Sequence, residues 1–193
     1  MQEFIHHKVE IYQGFLKDFN KIQTLLGNRS FEFERRFDEF TQTLLSYFQT
    51  SGNTTVESEI LKIVNSVFTV KKGFNPVKME KIQTGRREMY WGFSFSATES
   101  IFEILMELMN KEKVKLEEGE ELVSNLILML IQNNIMDDAK IAELNTITKI
   151  EVYWNLIIKQ NESIAGINKK LRMTLLAEDI YLLFEKNLAK INT

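Results

Sequence analysis

The chain has 193 residues, of which 44% are hydrophobic and 26% charged, and its formal net charge is −3. This composition fits one domain, or at most two small ones, with enough apolar surface to build a core, and it excludes a disordered chain. Cys is absent, which excludes disulfides and thiolate metal sites; the net acidity gives no general attraction to nucleic acid or anionic membrane, and one Pro with eight Gly favours long helices.

The first residues, Met1 to His7, show neither a basic leader nor an apolar run. The longest strongly apolar stretch, 126–131, is far shorter than the about 20 residues needed to cross a bilayer. The expectation is a cytoplasmic protein with no membrane partner. The sequons at Asn28, Asn53 and Asn161 are read as chance.

Phe4, Ile11, Phe15, Phe19, Ile22 and Leu26 recur at helical spacing, which predicts a first helix over about 2–26, stopped by Gly27-Asn28. A second helix over about 30–50 carries Phe33, Phe37, Phe40, Leu44 and Phe48 on one face. Thr54 to Glu57 has the form of a capping box for a third helix, which Lys71-Lys72-Gly73 closes near 71. Asn75-Pro76 has the form of the next N-terminus, and the helix it opens is expected to reach Met109 or to break near Thr84-Gly85. Residues 89–109 are apolar on most sides and are read as buried. Residues 111–116 read as a charged connector, and the acids Glu117, Glu118, Glu120 and Glu121 as the first turn of a second buried helix through 122–131. Asp137 or Asp138 caps a helix carrying Ile141, Leu144, Ile147, Ile150, Trp154 and Ile157. A weak point at 163–168 separates it from a last helix with Leu176, Ile180, Leu183 and Phe184 inward.

The fold class is therefore all-α: an irregular or orthogonal bundle of about six to seven helices with two buried central helices, in a single domain over 1–193. All but one of the Phe residues lie at or before Phe102, so aromatic packing is expected in a sub-core over 1–110 and aliphatic packing over 111–193.

One pattern recurs along the chain. Glu10-Ile11-Tyr12, Glu88-Met89-Tyr90, Glu151-Val152-Tyr153 and Asp179-Ile180-Tyr181 each place an acid two before a Tyr, with an apolar residue three after it. Lys8, Arg86 and Lys149 lie four before their Tyr, where their stems can lie along the ring. The pattern reads as an internal repeat of a helical packing unit. Convergence of the four acids would resemble the carboxylate logic of a di-metal bundle, but such sites add Glu-x-x-His pairs, and the only His are His6 and His7. Tyr-bearing helix edges account for the pattern better. No cofactor and no metal are expected.

The remaining candidates are weaker. Arg86, Glu88, Tyr90, Trp91, Tyr153 and Trp154 would line a ligand pocket if the second and third copies met. Lys169, Lys170 and Arg172 would carry any nucleic-acid contact, although the surrounding acids cancel their field. Phe31 and Phe33 cannot both face one core, which makes them candidates for a partner contact. Phosphate-loop and nucleophile–base motifs are absent. The reading that follows is a non-catalytic helical module that binds another protein or its own copy, as a subunit, adaptor or inhibitor. The alternatives are a small-ligand-binding protein or enzyme built on the Arg86–Trp154 set, and a nucleic-acid-associated regulator.

Overall fold

The computed structural model describes residues 4–191. Among them run eight α-helices: α1 (Ile5–Gly27), α2 (Phe33–Thr50), α3 (Thr54–Lys71), α4 (Arg86–Gln132), α5 (Asp138–Glu143), α6 (Ile147–Gln160), α7 (Glu162–Leu171) and α8 (Ala177–Ile191). The only β pairing among the described residues is a single antiparallel bridge between Phe74 and Lys81. None of the described helices is long and apolar enough to cross a membrane. The chain forms two compact units: a middle unit, Ile11–Leu108, and a terminal unit, Met1–Glu10 with Met109–Thr193.

The middle unit is built on rings. Phe33, Phe37, Leu44 and Phe48 lie on the buried stripe of α2, at the three- and four-residue spacing that makes one helical face. Phe19 of α1 sits 5.4 Å from the Phe40 ring and 6.1 Å from the Phe102 ring. α2 and α3 pack on one another through the turn in which Gly52 takes φ +72°, a conformation that a side chain disfavours. Asn53, not the expected Thr54, is the N-cap of α3, and its side chain accepts from the Val56 amide.

The terminal unit is built on Leu and Ile around a few rings. Leu126, Ile127, Ile150, Ile157, Ile164 and Leu175 are buried in one cluster with Trp154 and Phe184. Each such side chain contributes about 1.5–3 kcal/mol by leaving water. α6 packs against α7 and α8. Gly119 of α4 marks a close approach: a Cβ there would lie 2.5 Å from Leu175 Cδ1 and 3.1 Å from Leu183 Cδ1.

Several boundaries differ from the sequence reading. There are eight described helices rather than six or seven, and the two expected central helices are parts of one, because α4 runs unbroken for 47 residues from Arg86 to Gln132. The expected connector at 111–116 is helical: Glu112 is buried on its inner side and pairs with Lys115 at 2.8 Å, so its charges stabilise the helix rather than end it. The acids at 117–121 therefore lie in mid-helix, and the dipole argument for them fails. Glu120 instead pairs with Lys186 at 2.7 Å and with Lys190, which hold its carboxyl below the usual range. Asn75-Pro76 opens only one turn and not a helix. The expected long helix after Asp137 is two, because Thr146 caps α6 anew. The expected weak point at 163–168 lies within α7, since Asn161 turns the chain and accepts from the Ser163 and Ile164 amides.

Candidate functional site

In the middle unit the chain between α3 and α4 forms a short, tightly bonded hairpin. The Asn75 carboxamide oxygen accepts from the amides of Val77 and Lys78, an Asx turn, and the Met79 amide donates to the Asn75 carbonyl at 2.7 Å. The Ile82 amide reaches the Gly73 carbonyl and the Asn75 amide reaches the Glu80 carbonyl, both at 2.8 Å. These bonds win over helix propagation, and Met79 pays with a left-handed φ of +57°. The flanking turns use Gly73 at φ +92° and Gly85 at φ +69°, where glycine carries no such cost.

This bonding fixes the backbone but packs few of the side chains. Val77 is 81% exposed, Met79 69% and Phe74 44%, and Phe68 at the end of α3 is exposed as well. Between Phe68 and Arg87 stand six basic residues, Lys71, Lys72, Lys78, Lys81, Arg86 and Arg87, against one acid, Glu80. In a chain of net charge −3 that is a concentrated positive segment. Lys71 is neutralised locally by Glu34 at 2.5 Å and Asp38 at 3.5 Å, and the hydrogen bond from Glu34 raises its pKa. Lys72 lies 4.7 Å from the Phe68 ring centroid. Lys72, Lys78, Lys81 and Arg87 have no carboxylate at ion-pair distance among the described residues.

Arg86 donates to the Lys71 carbonyl and so caps the C-terminal end of α3. Arg87 has no such task, and a cation in the first turn of α4 opposes the helix dipole. A cleft of about 350 Å³ opens among Glu34, Lys71, Arg86, Arg87 and Tyr90. Burial pushes the Tyr90 phenol up, and Glu34 adds to the shift against the nearby Ser94 hydroxyl. That Ser94 oxygen is buried and makes no well-formed hydrogen bond.

The six residues expected to line one pocket divide between the units. Arg86, Glu88, Tyr90 and Trp91 belong to the middle unit, and Tyr153 and Trp154 to the terminal one. Glu88 is exposed and pairs with Arg29 at 3.4 Å, beside a second cleft of about 610 Å³ that Trp91 and Phe95 also line. Trp91 is half-buried against the Phe33 ring, at 5.6 Å. Tyr153 and Trp154 are buried, and the indole donates to Asn168 at 3.1 Å. Phe33 lies in the core, whereas Phe31 is 93% exposed.

The repeated acids differ in burial. Glu10, Glu88 and Glu151 are exposed, and only Asp179 is buried. No group of three His, Asp or Glu able to hold a metal occurs among the described residues. Two of the basic residues of the pattern hold other partners with their head groups: Arg86 donates to the Lys71 carbonyl and Lys149 to Asn145. Lys169, Lys170 and Arg172 are exposed at the C-terminal end of α7, where the helix dipole favours cations.

Compared with known proteins, the chain matches no family model, and no curated protein or solved structure shows significant similarity to it.

Proposed function

We propose that this chain is a non-catalytic helical module of the cytoplasm that acts by binding protein, as a subunit, adaptor or inhibitor, and that residues 68–87 of the middle unit are its docking surface. One observation carries the reading: Val77 and Met79 stand exposed on a hairpin whose backbone is rigidly bonded and strained at Met79. Exposed apolar side chains on a frayed loop need no explanation. Here they sit on an ordered frame among unpaired cations, the composition of an interface in which an apolar centre is ringed by charge. A left-handed non-glycine residue with an unpacked side chain costs stability in the free molecule, and such strain persists where function uses it.

The absence of Cys makes the test direct, because an introduced thiol is unique. Val77→Cys carrying a photo-crosslinker is expected to trap polypeptide, while the same probe at exposed Gln13, also in the middle unit, traps none. Equal labelling from the two positions, or none from position 77, would refute the assignment.

A further inference from the structure

A surface opposite in charge to the basic hairpin is present in the chain itself. On α4, within the middle unit, Phe95, Glu99, Glu103 and Glu107 follow one another at four-residue spacing and are all exposed. That spacing lines them along one stripe of the helix. The three glutamates have no Lys or Arg at ion-pair distance among the described residues, so like charges face each other along the stripe without relief. Phe95, 56% exposed, supplies an apolar end to the row. The hairpin has the complementary character: Lys78 and Lys81 without carboxylate partners beside the exposed Val77 and Met79. Each surface holds the charge that the other lacks, and each carries exposed apolar side chains beside it.

We infer that the docking surface at 68–87 binds a second copy of this chain, seating the Lys78–Lys81 hairpin on the Phe95–Glu107 stripe of its neighbour. The inference rests on the docking assignment above and names its partner. The contact joins two different surfaces. It therefore closes as a reciprocal pair if both engage at once, and otherwise extends head to tail. Its charge pairs lie at the surface and are weakened by salt, while the apolar contacts are not.

The test uses the full chain and two charge-reversed variants, K78E/K81E and E103K/E107K, whose altered side chains are all exposed. Sedimentation velocity over a wide concentration range is expected to show reversible self-association of the unaltered protein. Association is expected to weaken between about 0.1 M and about 1 M salt, as the screening length falls from about 10 Å to about 3 Å. Each variant alone loses at least about tenfold in association constant, because reversal places like charges opposite one another. An equimolar mixture recovers it, since the acidic hairpin of one variant then meets the basic stripe of the other. Recovery requires both variants to be folded, so it cannot be mimicked by misfolding. An unaltered chain that stays monomeric at every concentration and at both salts overturns the proposal, as does a mixture that associates no better than its components. A monomer that instead binds phosphatidylserine vesicles through the hairpin overturns it too. Trapping of a different polypeptide at position 77 by a monomeric chain removes the own-copy partner but leaves the docking assignment. No trapping at position 77 removes both.

Discussion

The Asp179 carboxylate lies 2.7 Å from His6 Nδ1, joining the N-terminal end of α8 to that of α1 within the terminal unit. It also accepts from the amides of Ile5 and His6 at 3.1 Å, which begin α1, and from Leu176 at 3.3 Å, which precedes α8. One buried side chain thus caps two helices, and its negative charge meets two positive dipole ends. Asp179→Ala would strand these donors in the interior. A loss of about 3 kcal/mol in urea unfolding is expected, with Asp179→Asn losing about half of that because it keeps one acceptor oxygen.

The same node sets an acid limit on stability. Burial pushes the Asp179 carboxyl up, but the hydrogen bonds from the His6 ring and from the amides of His6, Ile5 and Leu176 outweigh it and leave the group below the usual range. The folded chain therefore binds this proton less tightly than the unfolded chain, in which Asp titrates near about 3.9. The stabilisation is complete above about pH 5 and is lost as pH falls through about 4 toward the lower folded value. Urea midpoints between those limits should fall more steeply for the unaltered chain than for Asp179→Asn. Parallel curves would show that the carboxylate contributes no such linkage.

Two helical glycines should respond with opposite sign to the same substitution. Gly14 has open space around its missing Cβ, so Gly14→Ala gains helix propensity and should stabilise by about 0.5–1 kcal/mol. At Gly119 the new methyl meets the buried Leu175 and Leu183 side chains, and overpacking of about 1–3 kcal/mol outweighs the gain. Thermal unfolding of the pair, each against the unaltered chain, checks the signs.

The first three helices were legible in the sequence because each shows one apolar face and a local stop. The length of α4 was not, since the stretch 111–116 looks like a connector until Glu112 is seen buried and paired with Lys115. Charge density along a sequence does not reveal which charges lie in one another's reach. Asn75-Pro76 misled for the opposite reason: the local signal was obeyed for one turn, and backbone bonds to residues 80–82 then took over. At the candidate surface, reading by pattern singled out Arg86 and Tyr90 but missed Val77 and Met79. No periodicity marks an apolar residue as exposed. The signal that was available is the run of six cations against one acid from Lys71 to Arg87.

The indole–carboxamide bond between α6 and α7 offers a test of packing in the terminal unit. Asn168 accepts from buried Trp154 at 3.1 Å, the one hydrogen bond of that indole among the described residues. Asn168→Ala should cost about 1–2 kcal/mol, mostly through the unsatisfied indole rather than through lost contact. Asn168→Asp, which retains an acceptor, should cost less, and the ordering of the two in urea unfolding is the readout.

Met79 separates stability from binding. Its left-handed backbone is disfavoured for any side chain, and its own side chain, being exposed, recovers little by packing. Met79→Gly should therefore raise the stability of the free chain by about 0.5–1 kcal/mol, after the entropy of a more flexible unfolded state is set against the relief. If the hairpin docks as proposed, the same substitution removes an apolar contact and loosens the frame that presents Val77, so self-association should weaken several-fold. Met79→Asn, which tolerates the left-handed conformation but carries no apolar side chain, should lose association without a comparable change in backbone freedom. Urea unfolding and sedimentation on both variants distinguish the cases. A gain in stability with unchanged association would place Met79 outside the contact, whereas a loss of stability would mean that the side chain is held by packing in the free molecule.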